Sequence, residues 1–470
     1  MSFHGKGATG APKAPGTSDR FDPMKTTLLP SGQPVNPPIE ETKAGNYFVS
    51  NYPPFSFWKP ERVCEVEAAM NRPPQQGVPL GVYLHIPFCR KRCHFCYFRV
   101  YTDKDSGAIK AYIDAALQEL ALYSRKPFIG GRQPSFIYFG GGTPSYLSEK
   151  QLRGLVGGMR QMLPWDSVEE VTFECEPGTL TDQKLKTLRE LGVTRLSLGV
   201  ENFSDHILDV NGRAHRSKEI GRAYAYAKEL KFPQINIDLI AGMVEETEAN
   251  WKDCVLKTLE MAPDSVTIYQ MEIPYNTTLY KEMRETGKLV APVADWETKR
   301  RWVREAFEQL EAAGYTIASA YTAVKDKQKT RFIYRDRLWA GADLLALGVA
   351  SFGHIGGTHY QNQHDFDPYI KALASGNLPI YRALTPSDQE RFIREFILQL
   401  KLGALDVGYF QKKFGQDVLK TFAKPLQNLR DLGFGGANGS KVFLNRDGLL
   451  QVDRLLHEFF LPEHRNARYA

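Results

Sequence analysis

Long apolar runs are what this 470-residue chain most plainly lacks. No stretch approaches the roughly eighteen consecutive apolar residues of a membrane-spanning helix, and the N-terminus carries no apolar signal-peptide core. A cytoplasmic protein without a membrane span is therefore expected. Cysteine is scarce as well. Of the 6 present, Cys64, Cys175 and Cys254 stand isolated, which excludes a disulfide framework and leaves them as small buried hydrophobes or partly exposed thiols. Free thiols suit a reducing compartment. No Lys/Arg run resembles a nucleic-acid tract and a net charge of +6 is mild for this length, so a nucleic-acid partner is not expected, although a small anionic substrate would be welcomed. With 42% hydrophobic residues the chain is ordinary globular protein, long enough for two or three domains and a large core.

The cysteines that remain are concentrated. Cys89, Cys93 and Cys96 form a Cys-x3-Cys-x2-Cys run within Tyr83-Leu-His-Ile-Pro-Phe-Cys-Arg-Lys-Arg-Cys-His-Phe-Cys96. Three thiolates in one short loop read as a metal site. Iron–sulfur cubanes are held by cysteine thiolates, usually four, so a three-cysteine loop would leave one iron open to bind something else. The alternative, a structural zinc, needs four closed ligands, and only His85 or His94 could complete it.

Around this loop the pattern is regular. Residues 1–45 are rich in Gly, Pro, Ser and Thr with almost no apolar periodicity and are expected to be a disordered tail. Residues 46–80 open with Tyr47-Phe-Val-Ser-Asn-Tyr-Pro-Pro-Phe-Ser-Phe-Trp58, too aromatic for a linker and too Pro-broken for a helix, hence a docking segment that serves either as a flap over a site or as core packing. From 81 to 290, apolar strands at 81–86, 135–139, 170–175, 194–200, 234–240 and 265–271 alternate with amphipathic helices, which predicts an α/β partial (β/α)6 TIM-like barrel. The cysteine loop follows the first strand, where such barrels keep their chemistry. Residues 291–385 continue from a helix at 295–313 as an extension of the barrel. Residues 386–470 read as a winged-helix-like module: helices near 387–401, 406–416 and 418–431, then a hairpin turning at Asn445-Arg-Asp-Gly. Its helices carry no concentrated basic face, so it reads as an interaction or lid domain rather than a DNA binder.

Other polar residues recur at strand ends. Gly140-Gly141-Gly142-Thr143-Pro144-Ser145 closes the second strand, where bare backbone allows a ligand to approach closely or simply makes a tight turn. Glu174, Glu176, Glu201, Asp238 and Glu272 mark the later strands. Each alone could be a helix cap or a solvated charge; together with Arg213 they would suit a zwitterion and a ribose.

From about residue 80 onward the chain resembles the radical-SAM superfamily, and within it the oxygen-independent coproporphyrinogen III oxidase-like family with its haem-chaperone and class C methylase and cyclopropanase branches. The stretches that carry the resemblance are Tyr-Leu-His-Ile-Pro-Phe-Cys, Gly-Gly-Gly-Thr-Pro-Ser, Glu174-Cys-Glu-Pro-Gly-Thr, Arg195-Leu-Ser-Leu-Gly-Val, Asn236-Ile-Asp-Leu-Ile-Ala-Gly and Gly348-Val-Ala-Ser-Phe-Gly. The resemblance implies that Cys89, Cys93 and Cys96 ligate a [4Fe-4S] cluster at which S-adenosylmethionine (SAM) is cleaved to a 5′-deoxyadenosyl radical, acting on a tetrapyrrole. It implies that Tyr83, Gly141 and Glu174 contact the cluster-bound SAM and that Phe352 lines its adenine. Phe95, Gly142, Thr143, Arg213 and Asp238 match positions that contact a second SAM in the oxidase, and His85, with Tyr83, would help in catalysis. A flavodoxin or ferredoxin would supply electrons. Three positions depart from the oxidase pattern: Phe98 stands where the oxidase has a fourth cysteine, Glu201 replaces a glutamine, and Glu272 replaces a small residue.

Overall fold

The computed structural model describes residues 48–274, 277–286, 293–465 and 467. The expected tail at 1–45 lies outside them. Six strands, β1 (Leu80–Ile86), β2 (Phe136–Gly141), β3 (Glu170–Cys175), β4 (Arg195–Glu201), β5 (Gln234–Ala241) and β6 (Ser265–Gln270), run parallel in sequence order, with helices in the crossovers. This is the α/β partial barrel read from the sequence.

Local chemistry explains the elements. In β3, Val171, Phe173 and Cys175 join the core that packs under the helices, while the intervening Glu170, Thr172 and Glu174 take the opposite face. The same alternation sets Arg195 and Ser197 of β4 and Asn236 and Asp238 of β5 on the interior side, so the barrel encloses a polar lumen. Crossover helices start where a side chain can satisfy their first amides: Asp105 caps Ser106–Ser124, Ser148 makes a reciprocal box with Gln151 for Glu149–Met162, and Thr181 and Thr247 cap two more.

The sheet is wider than six strands. It continues beyond β6 through β8 (Thr322–Val324) and β7 (Thr316–Ile317), both antiparallel. On the other side β9 (Asp343–Leu347) adds a seventh parallel strand beside β1, followed by the antiparallel β10 (Phe352–Ile355), β11 (Thr358–Asn362) and β12 (Ile380–Leu384). A separate antiparallel sheet, β13 (Ala404–Asp406), β15 (Lys441–Leu444) and β14 (Gly435–Ala437) in that order, packs with helices Asp388–Leu400, Val407–Phe414 and Ala423–Asp431. One expectation is corrected here. Asn445-Arg-Asp-Gly is not a hairpin turn: the hairpin joins β14 to β15, and the Asn445 side chain accepts from Gly448 N to start the helix Arg446–Leu449. Asparagine caps helices as readily as it turns strands.

The aromatic segment is held at both ends of its run. Val49 and Tyr52 are fully buried in the core of the C-terminal module, and Trp58 stacks on His359 at 5.2 Å. Sequence reading placed no helix after it, yet Val63–Met70 forms one and buries Val66 and Met70 in the main core. Among the described residues no helix is long and apolar enough to cross a membrane.

One buried carboxyl ties the first crossover helix to the loop after β9. Glu119 accepts from Gly348 N at 2.8 Å, from the Asn362 amide at 2.6 Å and from the Tyr369 hydroxyl at 2.7 Å. Gly348 has φ +94°, and a Cβ there would meet the Tyr112 hydroxyl at 2.3 Å, so only glycine fits this turn beside the end of β1. Burial outweighs those hydrogen bonds and pushes the Glu119 carboxyl up to about 7. A raised carboxyl costs the folded state nothing below the unfolded value of 4.5 and progressively more as pH rises through about 7. Glu119→Gln should therefore remove about 3 kcal/mol of the stability that the parent chain loses between pH 4.5 and 8, read as the difference between the two in urea unfolding.

Candidate active site

The three cysteines sit on the loop that leaves β1, and that loop is stitched down on both sides. Gly142 N donates to Ile86 O and Thr143 N to Phe88 O, extending the β1–β2 pairing into the loop, while Cys89 N donates to Tyr101 O. Farther along, His94 N donates to Asn211 O after β4, Leu279 N donates to His94 O after β6, and Phe95 packs against Ile207, Met243, Val244, Met271 and Leu279. The Thr143 hydroxyl donates to Cys89 Sγ at 3.2 Å, and Arg213 Nη1 donates to Cys93 Sγ at 3.4 Å. A Cβ on Gly142 would stand 3.0 Å from Cys89 Sγ and 3.0 Å from Ile86 O, so glycine is what lets the second strand end approach the thiol.

Burial pushes the Cys89 thiol up to about 11 and the Cys96 thiol up to about 12. Without a cationic group these two stay protonated; a bound metal would draw off their protons. Among the described residues no three His, Cys, Asp or Glu side chains gather round one point as the ligands of a single ion would. His94 Nδ1 lies 3.1 Å from Val210 O and His85 Nδ1 lies 3.1 Å from the Tyr83 hydroxyl, and among the described residues neither joins the thiols in a group of three ligands. Three thiols spread along one loop, with no fourth protein ligand beside them among the described residues, suit a polynuclear iron–sulfur group.

The other strand ends meet this loop in different ways. Glu174 ends the lumen face of β3, accepting from the Tyr138 hydroxyl at 2.6 Å and from Gly141 N at 3.0 Å; burial, partly offset by these bonds, pushes it up to about 7. Gly141, at φ +114°, presents its amide there with His85 edge-on beside it. Tyr83 is half-buried, whereas His85 is 4% exposed, and burial pushes its imidazole down to about 4, so it is neutral at pH 7. Its Nε2 has no hydrogen-bond partner among the described residues. Glu201, itself at φ +62°, pairs with Arg213 at 3.4 Å and is pushed up to about 7 by burial; Arg213 Nη2 also donates to Gly199 O at 2.7 Å. Asp238 accepts from the Ser197 hydroxyl and the Asn236 amide, both at 2.8 Å, and its carboxyl is raised by burial.

Two candidates lie toward the edge of this group. Glu272 accepts from Phe48 N at 2.8 Å and is pushed up to about 8 by burial, in a recess it shares with Tyr269, Trp296, Arg300, Tyr321, Asp453 and others. Phe352, at the start of β10, lies 4.4 Å from Phe55 of the aromatic segment. That segment thus touches both flanks of the mouth.

Sequence reading passed over the residue that fixes the loop's height. Arg90, next to Cys89, makes a two-pronged ion pair with Glu176 at 2.8 and 3.1 Å. Burial alone would raise Glu176, yet His215, 3.4 Å away, and Arg90 bring it down to about 2. Tyr138 was missed as well, although strand alternation from Gly140 would have turned it into the lumen.

The sequence profile of the radical SAM superfamily matches residues 83–257. Among related proteins, a haem chaperone of Bacillus subtilis is 29% identical over 385 residues, covering 81% of this chain and 98% of its own. An oxygen-independent coproporphyrinogen III oxidase of Pseudomonas aeruginosa is 28% identical over 415 residues, covering 84% and 88%. The solved structure of the coproporphyrinogen III oxidase of Escherichia coli, a radical SAM enzyme, shares the fold with a TM-score of 0.75 at 23% identity, over 91% of this chain and 99% of that one.

Because Glu176 carries the Arg90 clamp, Glu176→Ala should destabilise the chain by about 2 kcal/mol, the figure for a buried pair reduced for a partner one-third exposed. Limited chymotrypsin cleavage after Tyr97 or Phe98 should rise severalfold in the same variant; unchanged cleavage would mean the loop is held by its backbone bonds alone.

Proposed function

The chain belongs to the radical-SAM superfamily, in the group of oxygen-independent coproporphyrinogen III oxidases and haem chaperones, and on that premise we propose an enzyme that takes a hydrogen atom from a tetrapyrrole, as in oxygen-independent coproporphyrinogen III oxidation. The observation that carries this reading is the meeting of the three-cysteine loop with Gly141–Thr143, Glu174 and Arg213 at one end of one sheet. A [4Fe-4S] cluster on Cys89, Cys93 and Cys96 supplies, when bound, the reductive cleavage of SAM to a 5′-deoxyadenosyl radical.

The chain's own residues bind and orient. Gly141 offers bare backbone and Glu174 a carboxyl that takes a hydroxyl or an ammonium, with Tyr83 below them and Phe352 on the β10 side. Glu201, Asp238 and Arg213, with Gly142, Thr143 and Phe95, would frame a second SAM. The acidity at Glu201 favours that molecule's ammonium or ribose over its carboxylate. His85, neutral and shielded, can pass a proton without carrying charge into the lumen. Arg300 and Arg454 line the recess beside Glu272, where guanidinium forks can take propionates. With coproporphyrinogen III, hydrogen would leave a propionate β-carbon and loss of carbon dioxide would give a vinyl group. A flavodoxin or ferredoxin would serve as electron donor.

Phe98 favours a second reading, haem delivery. It stands 43% exposed where the oxidase pattern carries its fourth cysteine, and its ring meets that of Tyr97 at 4.6 Å. An aromatic pair of this kind can stack on a macrocycle, and Phe98, unlike a cysteine, cannot ligate iron.

Anaerobic reconstitution followed by reductant, SAM and coproporphyrinogen III should yield deoxyadenosine and a vinyl product. Deoxyadenosine without decarboxylation would reject the oxidase substrate while keeping the enzyme. Stoichiometric haem uptake without turnover would replace it with the second reading. Cys93→Ala should abolish the cluster absorbance, and a full cluster in that variant would sink the ligand assignment.

A further inference from the structure

Four aromatic rings cluster on one wall of the barrel interior. Tyr83 stacks on Tyr138 with centroids 5.8 Å apart, Tyr334 lies 4.4 Å from Tyr138 and 6.5 Å from Tyr83, and Phe332 lies 5.9 Å from Tyr334 and 6.2 Å from Tyr138. Tyr83 and Tyr138 are register partners at one height of the sheet, and Tyr334 touches both. Toward the mouth, the Tyr83 hydroxyl lies beside His85 and Tyr138 bonds Glu174. Toward the strand starts, Tyr334 lies 5.7 Å from Phe136, the first residue of β2 and two strand steps, roughly 7 Å, below Tyr138.

Packing alone would be served as well by phenylalanine, since a phenol inside a barrel costs desolvation that a bare ring does not. Two of these phenols also have a base within hydrogen-bond reach: His85 Nδ1 at 3.1 Å from Tyr83, and Glu174 Oε1 at 2.6 Å from Tyr138. Burial keeps both phenols protonated, so each loses its proton with its electron; Glu174 stands beside Tyr138 to take that proton.

We propose that Tyr83, Tyr138 and Tyr334 form a relay that carries an unspent oxidising equivalent from the mouth of the barrel toward its strand-start end, away from the three thiols. The proposal rests on the radical reading above. A carbon radical left without substrate takes the Tyr83 hydroxyl hydrogen: a C–H bond forms, the O–H bond breaks, and Tyr83 becomes a neutral phenoxyl. Tyr138 then gives Tyr83 an electron while its proton passes to Glu174, and Tyr83 recovers a proton from lumen water. Tyr334 next gives an electron to Tyr138, whose proton returns from Glu174, and the Tyr334 proton goes to water. A small thiol returns Tyr334 to the phenol by giving it a hydrogen atom, and two such thiyl radicals join as a disulfide. Phe332 touches both Tyr138 and Tyr334 but is far harder to oxidise, so the equivalent stays on Tyr334.

The test uses the reconstituted full chain with reductant and SAM but no second substrate. A tyrosyl signal should appear in the electron paramagnetic resonance spectrum as deoxyadenosine forms. Tyr334→Phe keeps the ring and should leave the initial rate of deoxyadenosine formation unchanged, yet lose cluster absorbance severalfold faster per deoxyadenosine formed. Phe332→Leu should behave as the parent. Deoxyadenosine without a tyrosyl signal, or equal rates of loss in the parent and Tyr334→Phe, overturns the relay and leaves the functional reading standing. No deoxyadenosine at all overturns both.

Discussion

The ion pair between Arg90 and Glu176 is the constraint on which the mouth of this barrel depends. Glu176 belongs to the loop after β3, Arg90 to the loop after β1, and the pair couples them directly. Glu176 also reaches the others. Its amide donates to Ser145 Oγ after β2, and its carboxylate faces His215, two residues beyond Arg213, after β4. Four loops that the sheet merely brings to the same end are thereby fixed at one height. The fixed point is a charge, nearly dry, whose burial cost is met by several partners at once. Removing Arg90 or His215 leaves a nearly buried carboxylate short of a partner.

The lumen above the clamp has the opposite character. Glu174, Glu201 and Glu272 are raised by burial to about 7, 7 and 8, and Asp238 is raised too. The three glutamates change state near neutrality, so each of them can donate as well as accept a hydrogen bond according to what is bound. A ligand bringing an ammonium would draw them into the charged form; one bringing a carboxylate would meet them protonated. A zwitterion would need no dedicated cation for every anion in such a lumen. The aromatic segment borders this lumen without belonging to it, with Phe48 on Glu272 at one flank and Phe55 on Phe352 at the other.

Much of this was legible in the sequence, for identifiable reasons. Strands β1 to β6 announce themselves because β-branched and apolar residues alternate with polar ones, and a polar lumen makes that alternation sharper than a dry parallel sheet would. The cysteine loop and the glycine triplet were legible because their spacing has few structural uses. The clamp was not, since Arg90 and Glu176 lie 86 residues apart and each looks like an ordinary surface charge. The strands β9 to β12 were read only as an unspecified extension, because their turns, as at Gly356–Gly357, give no sign of which edge of the barrel they join. Asn445-Arg-Asp-Gly misled for a chemical reason: the same side chain caps a helix and turns a hairpin, and only the position of Phe434 and β14 decides between them.

The central claim is that three thiols of one loop hold an iron–sulfur cluster with one iron left open to SAM. Mössbauer spectroscopy of the iron-57-reconstituted chain, recorded with and without SAM, tests it most directly. The account predicts that SAM changes the isomer shift of one iron site and leaves the rest as they were. A spectrum unaltered by saturating SAM, or one in which every iron already has a full set of protein ligands, would contradict it.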